Sequence, residues 1–430
     1  RETAVALADL VHPSLVAVEH VGGVTRYRML ECLRPYAAER CSPHDRRGTR
    51  RRHTEYFVAL AGSAADGLVG PAEARWVTTI TAEFGNLRAV HARACAAGDL
   101  EVALRLPADL RVYAYHRLHD EVYGWASRAL DLPGSESHAA RVDAEVVVAT
   151  GHLQRGQLAL AERRAPYGDD APAGRGRARR SSQLLAELSL YRGRLDAVDR
   201  HGRALVDGAR ADGDDYDEAL GHLYRVHAAA YRGDSTGAAH LLARGWRAVG
   251  RVDNPTLRAA YHYLEGEVRL DDEPDAAREM LGRAIELAAE VRNRFIGGIA
   301  RVSLASLEAR HGDANASLPA FREIIDHWRR TGDWVHMWTT LHNLLVLFVR
   351  LGAPEPAAVL LGAFDTARTG APPYGADAER IDAARRWIER TLGPVAAGTS
   401  VSRGRGLRDE EVVAYGLEVI DGLLREHATV

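Results

Sequence analysis

The sequence predicts an all-α protein: a right-handed α-α superhelix of tetratricopeptide-like helix pairs, preceded by a small α+β segment. Three observations carry this. Turn residues Gly193, Gly233, Asp271, Gly312 and Gly352 end apolar helical runs at steps of 40, 38, 41 and 40 residues. A second series, Gly213-Asp214, Asp253-Asn254, Asn293, Gly332-Asp333 and Gly370, falls midway, so each unit is a helix pair. A pair of this size has one face it cannot bury alone, and stacked neighbours share a continuous core. Ahead of the repeats, Leu15–Glu19 and Val24–Met29 alternate around Val21-Gly22-Gly23, a hairpin pattern.

Taken in order, Thr3 to Leu10 reads as the end of a helix. The hairpin follows, and Leu30 to Arg40 resumes helical spacing. Helix, hairpin, helix is the tail of a winged-helix fold, and it defines a first region, 1–45. The basic run Arg46 to Arg52 then leads into an amphipathic helix at Glu55 to Ala64, opening a helical entry region, 46–137. The array occupies 138–371, with pairs at about 180–212, 215–252, 255–291, 294–331 and 334–369. Small residues Ala197, Ala238, Ala276 and Ala357 just past the turns let paired helices approach closely. Residues 165–180, rich in Pro, Gly and Arg without apolar period, read as a mobile loop. Residues 376–393 and 408–426 read as helices within a capping region, 372–430.

Composition excludes more than it assigns. The chain has 430 residues, 46% hydrophobic and 27% charged, with net charge −3, so no membrane or nucleic-acid surface is implied for the whole. It contains no lysine, which rules out a P-loop lysine, a Schiff-base lysine and a Ser-Lys dyad; high-GC codon usage accounts for the bias. Cys32, Cys41 and Cys95 have no metal-ligand spacing and read as reduced thiols, which predicts a cytoplasmic location. No apolar run of eighteen residues occurs. Arg1 opens the chain without methionine, which predicts a piece of a longer protein.

Within this frame "HPSLVAVEHVGGVTRYRMLECLRPYAAER" resembles the winged-helix segment after the ATPase core of bacterial signal-transduction ATPase regulators of the AfsR and LuxR-like types. Trp76, Glu83, Asn86-Leu87-Arg88-Ala89 and Gly98-Asp99 are similar to the helical opening of that family's sensor region. Trp125 with Arg128-Ala129-Leu130 is similar to its next landmark, and "RGLRDEEVVAYGLEVI" to its closing segment. Phe84-Gly85 departs from the polar pair that usual relatives carry before Asn-Leu-Arg. The chain has no GxxxxGK[ST], no Walker B-like run and no C-terminal helix-turn-helix. The resemblance therefore implies that ATP, ADP and Mg belong to an ATPase domain outside these residues, and that none is a cofactor here. It also implies that the hairpin serves the ATPase switch and touches no DNA.

No HExxH, GxSxG or GxGxxG appears, and His336 and His342 stand six apart, off the spacing that puts two ligands on one helix face; neither catalysis nor a metal site is expected. The acidic clusters Asp212–Asp217 and Asp271–Glu273 fall at turns, where Asp caps helices. The arginine runs at 46–52 and 177–180 lack interleaved aromatics and read as solvated segments. Solenoids bind along the surface lined by the first helix of each pair. Superposing units on the turn residue aligns Tyr191, Tyr231, Arg269, Arg310 and Arg350; beside them run His227, Glu265 and Ser306, with Tyr261 and His342 near. These ten form the candidate ligand or partner surface, against the competing reading that such Tyr and Arg pack over the next repeat and bond its terminal carbonyls.

The expected function is that of a sensor and interaction region controlling an ATPase and DNA-binding part, with a small molecule or protein as effector. A pure scaffold for self-assembly or docking is the alternative. A further one is the regulatory tail of a multidomain nucleotide cyclase.

Overall fold

The computed structural model describes residues 2–21, 24–30, 32–165, 177–367, 369, 373 and 375–427. It divides into two compact units, 1–60 and 61–430. The first contains α1 (Glu2–Val11), β1 (Val16–Val21), β2 (Val24–Met29) and α2 (Leu33–Arg40). The strands pair antiparallel from Val16 opposite Met29 to Val21 opposite Val24. Gly22 and Gly23, the expected hairpin turn, lie outside the described residues.

Next comes α3 (Pro43–Leu68), within which the division at Leu60 falls. Ser42 starts it: the Ser42 hydroxyl accepts from the Asp45 amide at 3.1 Å and donates to the Asp45 carboxylate at 2.6 Å, with Pro43 as first helical residue. The basic run 46–52 is therefore helical, with no break before Glu55, and the first unit extends past the expected boundary at 45. Arg46 bonds the Ala38 and Cys41 carbonyls at the end of α2.

Among the described residues the regular elements of the second unit are all α-helices apart from a short 3-10 turn at Ser135–Ser137. Its entry helices are α4 (Glu73–Ala97), α5 (Leu100–Asp109), α6 (Arg111–Arg117), α7 (Asp120–Leu130), α8 (Arg141–Gln154) and α9 (Leu158–Arg164). The family-like residues here are structural. Arg88 makes a two-pronged ion pair with Glu121 at 2.5 and 2.7 Å, Trp125 stacks on Phe84 and His91, and Asp99 caps α5 through the Val102 amide.

Five helix pairs follow: α10 (Arg177–Tyr191) with α11 (Leu195–Asp212), α12 (Asp215–Tyr231) with α13 (Ser235–Val252), α14 (Pro255–Arg269) with α15 (Pro274–Glu290), α16 (Arg294–His311) with α17 (Leu318–Thr331), and α18 (Trp334–Arg350) with α19 (Pro354–Phe364). This is the tetratricopeptide-like array the recurrence predicts. Four of the first helices begin at an Asx cap, Asp214, Asn254, Asn293 and Asp333, whose side-chain oxygen accepts the amide three residues on at 2.9–3.1 Å. Most of the expected loop at 165–180 lies outside the described residues. Residues 177–180, however, are the first turn of α10, because Arg179 is clamped by Asp212, Asp214 and Asp217 at 2.8–2.9 Å.

Capping helices α20 (Ala376–Leu392), α21 (Pro394–Arg405) and α22 (Asp409–His427) close the array. The sequence pattern gives no sign of α21, whose Gly, Ser and Thr content lacks an apolar period. Contact with α19 selects it: a Cβ on Gly404 would lie 1.9 Å from the Val359 carbonyl oxygen, so only glycine permits this approach. The core runs through the pairs and into these caps, with Trp328 and Trp338 fully buried and their indole N–H groups donating to Thr340 and Thr369.

The entry helices are locked onto the array by a buried polar knot. The Glu73 carboxylate, fully buried, accepts from Arg117 at 2.8 Å, the Thr256 amide at 3.0 Å, the Thr256 hydroxyl at 2.7 Å and Asn254 at 3.2 Å. Asn254 also donates to the Leu68 and Gly70 carbonyls, and Arg117 to that of Val291. Asn254, the cap of α14, thus holds the remote Leu68–Gly70 segment while starting its own helix, and Asn293, the cap of α16, donates to the Thr256 hydroxyl at 2.9 Å.

Candidate ligand-binding site

Where α10, α12, α14, α16 and α18 line up, they enclose a cavity of about 650 Å³, with Tyr115 of α6 and Asp377 and Arg380 of α20 completing its wall. That volume suits a small organic ligand or a few peptide residues. Its shape follows from the repeat: first helices face inward, and residues of the entry and capping helices add walls to the groove they line.

Six of the ten candidate residues line it: Tyr191, His227, Tyr231, Ser306, Arg310 and His342. The other four do not. Tyr261 is buried between helices, its hydroxyl donating to the Ala219 carbonyl at 2.7 Å. Glu265 accepts from the Trp246 indole at 3.1 Å. Arg269 folds back on the Glu265 carbonyl at 3.4 Å, and Arg350 bonds the Ala309 and Gly312 carbonyls at 2.6 and 2.7 Å, closing the end of α16. For these two arginines, packing over helix-terminal carbonyls describes the contacts better than a ligand surface does.

A register slip explains two of the misplacements. Gly233, Gly312 and Gly352 each stand nineteen residues after the cap of their helix, Asp214, Asn293 and Asp333. Nineteen past Asn254 is Glu273, so Asp271 is the wrong anchor by two residues. With the count taken from the caps, Glu265 gives way to Glu267 and Arg269 to Asp271, and both replacements line the cavity. The corrected row six before the turn reads Glu187, His227, Glu267, Ser306 and Val346, the first four of them on the wall. Four past Glu273, as Ala197 stands four past Gly193, comes the fully buried Ala277 in place of Ala276.

The two carboxylates of that row dominate the chemistry. Glu187 is 4% exposed and accepts a hydrogen bond from the Tyr115 hydroxyl. Burial raises its carboxyl to about 7, against the pull of that bond. Glu267 is partly buried as a residue, but its Oε1 is shut off from solvent with no hydrogen-bond partner, and burial raises this carboxyl to about 7 as well, against the Ser303 hydroxyl. No arginine pairs with either among the described residues. At the far end Asp271 pairs with Arg310 and Arg380, and Arg380 with Asp377. Asp271 therefore serves as an ion-pair centre, not as the helix cap expected of it.

Aromatic rings form much of the remaining wall. The Asp333 carboxylate accepts from His336 Nδ1 at 2.9 Å, and His336 Nε2 lies 3.1 Å from the Tyr191 hydroxyl. His227 lies 5.9 Å from the Tyr231 ring and 6.2 Å from that of Tyr263. Burial lowers His227 and His342 to about 4 and His116 well below the usual range, so these three are neutral at pH 7. Among the described residues no group of three His, Cys, Asp or Glu could hold a metal, and no helix is long and apolar enough to cross a membrane.

The fold and cavity define a class: a tetratricopeptide-like array with an internal cavity. The solved Rap protein complexed with Competence and Sporulation Factor has a similar fold, with a TM-score of 0.51 at 12% identity, covering 87% of this chain and 99% of that one. In sequence, proteins of Mycobacterium tuberculosis and Mycobacterium bovis, provisionally named HTH-type transcriptional regulators, are 35% identical over 129 residues. That stretch is 29% of this chain and only 14% of each relative. No protein-family model matches. The chain is thus a helical-repeat protein with partial similarity to transcription regulators.

Proposed function

We propose that this chain is the sensor and interaction region of a bacterial transcription regulator of the AfsR/LuxR-like signal-transduction ATPase type, and that an effector occupies the cavity. Binding, not catalysis, is its work; ATP and Mg belong to an ATPase part of the whole protein. The observation that carries the reading is the cavity, into which five successive first helices direct polar and aromatic side chains. The mycobacterial similarity supports the regulatory context. The Rap structure offers a precedent of fold for an array holding a separate factor.

The first unit fits a relay to further domains. Val5, Leu10, Leu15, Val18, Tyr27, Leu30, Tyr36 and Tyr56, most of the large exposed apolar side chains among the described residues, all lie within it. Apolar side chains gathered on so small a unit suit docking to another domain. The same feature favours the scaffold as second reading.

A thermal-shift screen of metabolites and short peptides tests the sensor. Binding raises the melting temperature with ligand concentration. The effect should vanish in Ile299→Trp, which fills the cavity from a half-buried lining position. If no compound stabilises the chain, or the filled variant responds equally, the sensor reading fails.

A further inference from the structure

We infer that the ligand of this cavity is an organic cation, an alkylammonium or guanidinium group held by Glu187 and Glu267 against a wall of tyrosines. This rests on the reading of the cavity as an effector site and deepens it.

Charge points this way first. Six carboxylates line the space, Glu187, Glu267, Asp271, Asp272, Asp377 and Glu379, against three arginines, Arg232, Arg310 and Arg380. All three arginines are occupied: Arg232 by Asp196, and the other two by Asp271 and Asp377. An anionic ligand would have to break those pairs. A cationic one finds Glu187 and Glu267 without a direct ion-pair partner among the described residues, Arg111 and Arg310 acting on them only at longer range.

Placement points the same way. Glu187 and Glu267 occupy equivalent positions two repeats apart, with His227, neutral at pH 7, between them. A buried carboxylate without a cation costs several kcal/mol. The unpartnered Oε1 of Glu267 and the single phenolic donor on Glu187 leave acceptor capacity that a multi-donor cation fills. The phenol rings of Tyr191, Tyr224, Tyr231 and Tyr263 add faces that attract cations.

The reading implies a pH dependence. Tyr115, Tyr123, Tyr191, Tyr224, His336, Asp333 and Arg111 surround Glu187; Ser303, Asp271, Asp377 and Arg310 surround Glu267. Arginines stay charged across the range, so the two carboxyls near pH 7 titrate, and a cation binds their ionised form. Affinity should rise from pH 6 to pH 8.

The test is calorimetry and thermal shift on the whole chain with spermidine, agmatine, phenethylamine and the tripeptide Gly-Arg-Gly, beside the neutral controls N-acetylphenethylamine and pentanol and the anion glutarate. At least one cation should bind, more tightly at pH 8, and lose about tenfold or more in affinity on Glu187→Gln or Glu267→Gln, the loss of a charge-assisted bond. The two variants are independent, and circular dichroism checks that each is folded. Binding by free amines assigns a small-molecule source; binding by Gly-Arg-Gly alone assigns a peptide. If only neutral or anionic compounds stabilise the chain, or both Gln variants keep wild-type affinity, the cation inference falls while the effector cavity stands. If nothing stabilises the chain, both fall.

Discussion

Replacing Glu73 by Gln should be the most damaging single-atom change in the second unit. It exchanges one carboxylate oxygen for an amide in a site where the carboxylate faces donors from every side: Arg117, the Thr256 amide and hydroxyl, and Asn254. Two consequences add. The Arg117 guanidinium, 6% exposed as a side chain, loses its counter-ion, and the new NH₂ group meets N–H donors that cannot accept from it, Arg117 at one oxygen's place or Asn254 and the Thr256 amide at the other. Removing one partner of a buried ion pair costs about 3–5 kcal/mol, a large share of the total stability of a domain.

Urea unfolding followed by circular dichroism gives the size. Amide exchange at Thr256 and Leu257 gives the place, because the knot holds the start of α14. Adding Arg117→Met should recover part of the loss, since the stranded cation is then gone; the double variant should be more stable than the sum of the singles predicts by about 0.5–3 kcal/mol. A loss under 1 kcal/mol, or strict additivity, would refute the claim that this ion pair joins the entry helices to the array.

Three further outcomes are expected. Because the folded carboxyls of Glu187 and Glu267 are raised to about 7, above the ordinary value of 4.5, the fold holds protons the unfolded chain releases, and this favours folding at low pH and is lost as pH rises through 7. Each wild-type carboxyl should therefore lose stability relative to its Gln variant between pH 4.5 and about pH 7, by up to about 1.4 kcal/mol per pH unit, and hold level above that, read from urea midpoints; a constant difference throughout would contradict the burial. Gly404→Ala should cost about 1–3 kcal/mol by driving α21 off the Val359 carbonyl, whereas Gly250→Ala in α13, with nothing near its Cβ, should gain about 0.5–1 kcal/mol; equal melting temperatures would contradict the close approach. Arg350→Ala should lower stability by about 1–2 kcal/mol through the freed carbonyls of α16 while leaving ligand affinity unchanged, and a weakened affinity would return Arg350 to the site.

Much of this architecture is legible in the residues because its signals are local. Asp214, Asn254, Asn293 and Asp333 announce helix starts within four residues of themselves, and the glycines announce ends, so the five pairs emerge with bounds close to the observed ones. What spacing cannot carry is contact between distant segments. Nothing in the sequence links Glu73 to Asn254, 181 residues on, or tells α21 that Gly404 will meet Val359. The arginine runs misled for a related reason: Arg179 reads as solvated until its three aspartates are brought beside it.

The site was half legible, and the missing half turns on where a repeat is counted from. A turn can gain or lose a residue without moving the helix before it, since loop length costs little; Asp271 and Asp272 do this between α14 and α15. A cap cannot drift in that way, because its side chain bonds an amide three residues into the helix and fixes which side chains face inward. Counted from the caps, one inward row carries two acids at equivalent positions, Glu187 and Glu267, in an interior where isolated acids are costly. A stacking array needs apolar groups at that row to bury its core. Acids there weaken the empty fold, and a cation that pairs with them removes the weakness, so the residues that stabilise the array least without a ligand are those that gain most from one.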